Sequence, residues 1–577
     1  MRERFIFPKK TIFGAAILAV LLLAVAAAVK LAPKRGDVAA EAAAAGILII
    51  NNSAEPVSLD PHAVSGASDL RVVSALFEGL LANDPETLVP RPALAERFEV
   101  SRDGRCYTFH LRAGLRWSDG APLTAEDFLF SFRRVLSPRL GAPNAAMFFA
   151  VKNAKTFYEG KADFSSTGFS APAPLVLRVE LARPLAYFPS LVCHPAWAAV
   201  PRHAVLRHGT FDEPATPWTR PENIAVSGPF HLKVWRVADR IELARNPLYH
   251  AAASVRLKGA RFLTISDLLA EERAFRGGLL HITGSVPPMK VAVLREKGAP
   301  ELRLDPFFST TFVRVNTRVK PLDDPRVRRA LSLCLHRSDI AQHVMRAGET
   351  PAFSLTPPSA GGYVCTAALR EDAVEARRLL AEAGYPGGKG FPVLSYLYNT
   401  HETSQLIAQA LQEMWRRELG ISVELASQEW KVYKHAMASG DYQLCRSAWS
   451  GDYHDPASFL ELFDSQSEQN QTGWADAAYD AALDAASGET GAAARLAHFQ
   501  RAEARLLEAS PVIPLAHNRN KFLIRPEVRG WFPNALDIHP LGAVWLEVPL
   551  TSGRPQSKSE RTRPTISSTG ASRPLPE

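Results

Sequence analysis

The stretch VLSYLYNTHETSQLIAQALQEMWRRELGISVEL, residues 393–425, switches its hydrophobic period twice. Residues 393–398 read as a short apolar strand. From Thr403 to Leu419, the side chains of Leu406, Ile407, Ala410, Leu411, Met414 and Trp415 share one helical face. Gly420 stops that helix, and Ile421, Val423 and Leu425 then alternate as a second strand. A strand, a helix and a strand in so short a span predict a parallel pair joined by a right-handed crossover. The fold class is therefore α/β.

The same signals continue outward. A helix is predicted from Pro325 through Arg337, with Val327, Ala330, Leu331, Cys334 and Leu335 inward. Another spans Glu371 to Ala383 and ends at Gly384-Tyr385-Pro386. Ile47-Leu48-Ile49-Ile50 opens the body as an apolar strand. Tyr107 to Arg112 alternates between the Asp103-Gly104 and Ser118-Asp119-Gly120 turns, which predicts an antiparallel patch. No internal repeat is visible. At 577 residues the chain exceeds one hydrophobic core, so two or three domains are expected.

The net charge of +8 is carried by the ends. Residues 1–35 contribute +6 and residues 551–577 contribute +3, which leaves the body at −1. A near-neutral body offers nucleic acid no electrostatic footprint. Residues 11–29 are an uncharged, largely apolar run after Lys9-Lys10 and before Lys30. Residues 1–35 thus read as a secretion signal, or as a membrane anchor, since nineteen residues at about 1.5 Å each span a hydrocarbon core. Either places the body across the membrane, and no Cys precedes Cys106 to carry a lipid. Residues 36–45, Ala-rich after Lys34-Arg35, read as a tether. Residues 551–577, rich in Ser, Thr, Arg and Pro, read as a disordered tail.

Enzyme motifs fail on spacing. His401-Glu402 begins a zinc-protease pattern, but Gln405 stands where the second His is required. Gly388-Lys389 lacks the upstream glycine spacing of a phosphate loop, and Gly390 replaces its Ser or Thr. The five cysteines (Cys106, Cys193, Cys334, Cys365, Cys445) form no C-x-x-C pair, so structural zinc is not expected. Buried free thiols, or one or two disulfides in an oxidising compartment, both fit. No metal or cofactor is expected.

Residues 428–459 concentrate aromatic and charged side chains: Gln428-Glu429-Trp430, Gly440-Asp441-Tyr442, and Arg446 through Tyr453. Arg446 and Asp452, with Trp449 and Gly451 between them, place two charges beside one apolar-walled slot. Such a cluster is either a core Trp with a surface ion pair or a site for a zwitterionic ligand.

At these residues the chain resembles the extracellular oligopeptide-binding proteins of peptide ABC transporters, solute-binding protein family 5, over roughly residues 47–545. Matching stretches run in family order. They are Glu55-Pro56-Val57-Ser58-Leu59-Asp60-Pro61, Leu76-Phe77-Glu78-Gly79-Leu80, Tyr107 to Arg112, and Trp117-Ser118-Asp119-Gly120 with Thr124 to Phe128. Then come Asp324 to Arg328, Leu380 to Tyr385, Tyr398-Asn399-Thr400 and Gln428-Glu429-Trp430. The resemblance implies a two-lobed periplasmic-binding-protein fold, type II-like, with an extra third domain. By it, lobe I combines 46–77, 202–299 and 520–550, the extra domain is 78–201, and lobe II is 300–519.

The resemblance also implies a periplasmic, monomeric binding protein that is not an enzyme. Such a protein captures short peptides and delivers them to an ABC transporter permease. An envelope sensor of peptides or cell-wall fragments, uncoupled from transport, is the alternative. In the family's R-x-x-W-x-x-D-Y motif the aspartate pairs with the peptide α-amino group, and here that residue is Asp452. Arg446 matches the motif's arginine, Trp449 and Trp430 its pocket aromatics, and Ala448, Ser450 and Gly451 lie on the segment that meets the peptide. Three positions depart from the family. Met437 replaces a basic residue, Ser404 a histidine (with His401 nearby) and Ser65 an acidic residue. The amine end of the ligand is thus expected to be read as in the family, and the carboxylate end differently.

Overall fold

The computed structural model describes residues 36–358, 362–489 and 491–547. The expected signal or anchor (1–35, including 11–29) and the expected tail (551–577) lie outside the described residues. Among the described residues, no helix is long and apolar enough to cross a membrane.

Along the chain, α1 (Val38–Ala44) leads into β1 (Ile47–Asn51) and α2 (Ala67–Leu76). Next come β2 (Ala95–Val100), β3 (Cys106–Leu111), α3 (Ala125–Val135), β4 (Phe169–Ala173) and β5 (Val176–Glu180). They are followed by β6 (Phe230–Arg236), β7 (Arg240–Arg245), β8 (Gly259–Leu263), β9 (Leu302–Val315) and β10 (Thr350–Pro351). The last stretch holds α4 (Ala373–Glu382), β11 (Leu394–Asn399), α5 (Glu402–Leu419), β12 (Val423–Gln428), α6 (Trp430–Ser439), β13 (Leu444–Ser450) and β14 (Val512–Leu523).

Helix α1 corrects the expectation of a tether at 36–45. Asp37 caps it by accepting the Ala40 N–H at 2.9 Å and also pairs with Arg525. Ala39 and Ala43, four residues apart, are buried. Alanine is the strongest helix former, and its small side chain lets the helix lie close against the body.

Three sheets organise the molecule. The first has the order β1-β8-β7-β6, with β1 parallel to β8. The second, β2-β3-β5-β4, is wholly antiparallel, as the alternation at Tyr107–Arg112 predicts. The third runs β10-β14-β9-β13-β11-β12. In it β11 pairs with β12 in parallel from Leu394↔Val423 to Asn399↔Gln428, and α5 is the crossover. Helix α5 ends at Gly420 with φ 69°, a left-handed cap that glycine adopts without strain.

The long antiparallel pair β9/β14 joins two cores. At one end Leu302, Leu304 and Leu523 pack in a cluster with Ile49. At the other, Val313, Val315, Ile513 and Leu515 pack with Ile407, Leu411 and Trp415 of α5. The pairing slips between Pro306 and Thr310, midway between the cores. Single bridges from Ile50 to Ile282 and from Ile282 to Ile524 stitch the first end to β1. This is the two-lobed architecture, with the sheet β2–β5 as the additional body. All five cysteines are free thiols.

Candidate ligand-binding site

Strand β13 carries Arg446, Ala448, Trp449 and Ser450, with Gly451 and Asp452 just past its end, and its two edges differ. Along one edge seven residues pair with β9, from Leu444↔Val315 to Ser450↔Ser309. Along the other, pairing with β11 covers only Leu444 and Cys445. The remainder, Arg446 to Ser450, has no strand beside it among the described residues.

The hydrogen-bond phase fixes what that free edge offers. Gly451 N–H donates to Phe308 O at 2.9 Å, and Asn316 N–H donates to Gln443 O at 2.9 Å. In an antiparallel ladder the groups alternate sides. The odd-numbered residues of β13 therefore spend theirs on β9, while Arg446, Ala448 and Ser450 aim theirs at the free edge. One of these groups is taken: the Tyr433 hydroxyl donates to Arg446 O.

Helix α6 flanks the start of this edge because Tyr433 reaches it. Glu429 caps the helix by accepting the Lys431 N–H at 2.8 Å, so the Gln428-Glu429-Trp430 motif is the junction between β12 and α6. The junction leaves Trp430 54% exposed, stacked on Tyr433 with ring centroids 5.6 Å apart. Lys434, one turn on, places its ammonium 5.8 Å from the Trp430 ring centre.

Past the free edge the chain is held tightly. Asp452 N–H donates to Ser458 Oγ at 3.0 Å, and Trp449 Nε1–H donates to Ser458 O at 2.8 Å. Asp455 takes a bidentate bond from Arg495 at 2.7 and 2.8 Å. Tyr453 stacks on Tyr187, centroids 4.6 Å apart and planes 7° from parallel, and the Tyr187 hydroxyl donates to Glu461 at 2.8 Å. Gly451 has no room for a side chain, since a Cβ there would lie 2.3 Å from the Phe308 ring.

Within this rigid frame the Asp452 carboxylate has no cation and no hydrogen-bond donor among the described residues. It is open to solvent, yet protein surrounds it on most sides and pushes its pKa up from 3.8 to about 6. A group that is solvent-accessible and still desolvated occupies a recess, not a convex surface.

The structure separates residues that the sequence groups together. Arg446 and Asp452 do not form an ion pair. Strand alternation sets Trp449 on the opposite face from Arg446, Ala448 and Ser450, so the expected single slot is divided by the sheet. Met437 is buried against Tyr433 and Cys445, and Ser404 is buried with its hydroxyl donating to Asn399 at 3.1 Å. Both face the interior. Ser65 is exposed just before α2. Sequence reasoning overlooked Tyr433, Tyr187 and Lys434. Only Lys434 had a legible cue, its helical spacing from Trp430. No three His, Cys, Asp or Glu side chains converge as a metal site among the described residues.

Two lobes joined by a strand pair, with an unanswered charge beside a free strand edge, are the features of a binding protein. The chain belongs to the bacterial extracellular solute-binding proteins, family 5 Middle, whose model matches residues 89–471. It is 35% identical over 489 residues to the probable deoxycholate-binding periplasmic protein YgiS of Escherichia coli, covering 83% of this chain and 90% of that protein. It is 33% identical over 534 residues to the periplasmic oligopeptide-binding protein OppA of Salmonella typhimurium, covering 91% and 96%. Among solved structures, the Escherichia coli murein tripeptide-binding protein MppA superposes with a TM-score of 0.75 at 32% identity, covering 86% and 98%.

Proposed function

We propose that this protein captures short peptides in the periplasm and hands them to the permease of an ABC transporter. The peptide lies along the free edge of β13, exchanging main-chain hydrogen bonds with Ala448 and Ser450, while its α-ammonium pairs with Asp452. Lobe I (46–77, 202–299 and 520–550) with the extra domain (78–201) closes against lobe II (300–519). The protein acts as a monomer, without catalysis, and residues 11–29 serve as a cleaved signal or an anchor.

The observation that carries this reading is Asp452: a preorganised, desolvated carboxylate with no partner. Ionised carboxylates in such places are costly unless a cation joins them. The relative YgiS is named for deoxycholate, a carboxylate without an amine. That ligand would leave Asp452 unanswered, so the geometry favours the peptide named for OppA. Nothing in these relatives supports the uncoupled sensor.

Native mass spectrometry of the purified protein, with calorimetry on free-amine and N-acetylated peptides, tests the reading. Co-purified peptides and loss of binding on acetylation are expected. Equal binding of both forms rejects amine capture by Asp452, and peptide cleavage during incubation rejects the non-enzymatic role.

A further inference from the structure

The Asp452 loop is held from two sides, and one of them is the body built on the sheet β2–β5. Tyr187 belongs to that body, since its neighbour Phe188 packs its ring 4.7 Å from Tyr107 of β3. Tyr187 is buried; its ring stacks on Tyr453, the residue next to Asp452, and its hydroxyl reaches Glu461 across 274 positions of sequence. On the Asp452 side, Tyr453 O accepts the Asp455 N–H at 2.8 Å. Asp455 is tied to Arg495, whose guanidinium lies 5.9 Å from the Tyr187 ring centre. The Tyr479 hydroxyl donates to Leu460 O at 2.6 Å and steadies the turn that carries Glu461.

A contact that only packs two bodies together needs no carboxylate. Glu461 forms no ion pair among the described residues, and the Tyr187 hydroxyl is its one side-chain donor there. The nearby guanidiniums are spent elsewhere, Arg495 on Asp455 and Arg183 on Asp484, each at 2.7 Å. A hydrogen bond to an ionised carboxylate is strong and directional, so this one orients both partners. From this we infer, on the peptide reading above, that Tyr187 and Glu461 are positioning residues of the binding site: their contact holds Tyr453, and through it Asp452, in place for the ligand's ammonium. The contact also responds to pH. Around Glu461 stand Tyr187, Tyr453, Tyr479, Asp455, Arg183 and Arg495. Burial, joined by Asp455, raises Glu461 to about 7 against the Tyr187 bond and the two guanidiniums. Above that value the carboxylate accepts a charge-assisted bond, and below it the neutral acid makes a weaker one. The hold on Asp452 therefore loosens as pH falls through 7.

Calorimetry of trialanine binding at pH 8 and pH 6, on the wild type, Tyr187→Phe and Glu461→Gln, tests the pair. Tyr187→Phe keeps the stacked ring and loses the hydroxyl. It should bind about tenfold more weakly than the wild type at pH 8, the size of a charge-assisted hydrogen bond, and within about threefold of it at pH 6. Protonation of Asp452 is common to both proteins and cancels from that ratio. Glu461→Gln keeps an acceptor that does not titrate, so its fall in affinity from pH 8 to pH 6 should be shallower than the wild type's. Equal weakening of Tyr187→Phe at both pH values marks plain packing and overturns the positioning role, as does an affinity equal to the wild type's. If Tyr187→Phe does not fold, Glu461→Gln decides, and a slope like the wild type's overturns the role. A wild type that binds neither trialanine nor any co-purified peptide rejects the peptide reading, and the positioning role falls with it.

Discussion

Asp60 and Asp452 bring the same carboxylate into crowded protein, and only one of them is answered. Asp60 follows β1, deeply buried, and accepts two bonds from Arg134 of α3, at 3.1 and 2.5 Å. Arg134 also donates to His62 Nδ1 at 3.0 Å, while His62 Nε2–H donates to Ala198 O at 3.1 Å. Burial and the Arg134 cation hold His62 neutral, lowering its pKa to about 4 against the opposing pull of Asp60 and the Ala198 carbonyl. Burial pushes the Asp60 carboxyl up, but Arg134, His62 and their hydrogen bonds outweigh it and hold the carboxyl below its ordinary value. At Asp452 burial acts alone, and the carboxyl rises to about 6. A paired buried charge ties α3 to the loop after β1. An unpaired one is left open to solvent.

The sharpest way to break this contrast is to remove each carboxylate in turn. Asp60→Ala leaves the Arg134 cation buried without its partner and should cost about 3–5 kcal/mol of stability, read by urea denaturation. Asp452→Ala should lower peptide affinity by about two orders of magnitude, close to 3 kcal/mol, with no fall in melting temperature. If Asp452→Ala unfolds the protein as Asp60→Ala does, the two sites are alike and the contrast fails. A smaller effect is expected from Gly451→Ala. The clash with Phe308 should cost about 1–3 kcal/mol by overpacking and weaken binding by displacing the Asp452 backbone.

The smallest and most diagnostic effect is on pH, where the two aspartates have opposite signs. Asp60 is lowered on folding, so its contribution is present above its unfolded value of 3.8 and is lost as pH falls through the folded one. Asp452 is raised, so its ionised form opposes folding above pH 6, and that penalty is gone below 3.8. Asp452→Asn should therefore raise the melting temperature at pH 8 and not at pH 3. Peptide affinity should fall roughly tenfold from pH 8 to pH 5 as Asp452 takes a proton. The Asp452→Asn variant should lack that slope. Glu461, raised to about 7 by burial, titrates in the same window, and Glu461→Gln isolates its share.

Much of the fold is legible because its signals are local. The helix read from Thr403 to Leu419 runs from Glu402 to Leu419, and its flanking strands pair in parallel as the pattern requires. Glycine at 420 and alternation at Tyr107–Arg112 act within a few residues of themselves. Helix α1 is missed because its Ala-rich stretch carries no amphipathic contrast, although Asp37 stands where a cap belongs. In the proposed site, Asp452, Arg446 and the backbone of Ala448 and Ser450 are expected from family likeness, and the alternation of β13 aims that backbone at the free edge. That Trp449 lies across the sheet from Arg446 also follows from alternation, once 444–450 is known to be a strand.

The sequence alone determines the family, the parallel crossover at 393–425 and the residue types available for binding. Only the tertiary structure decides which charges remain free. Asp60 meets Arg134 across 74 positions of sequence, and among the described residues Asp452 meets no cation even though Arg446 is six residues away. Ion pairing depends on distance through space and on water excluded from the site. Local sequence governs neither, so whether an aspartate ends paired or unpaired is settled when the chain has packed.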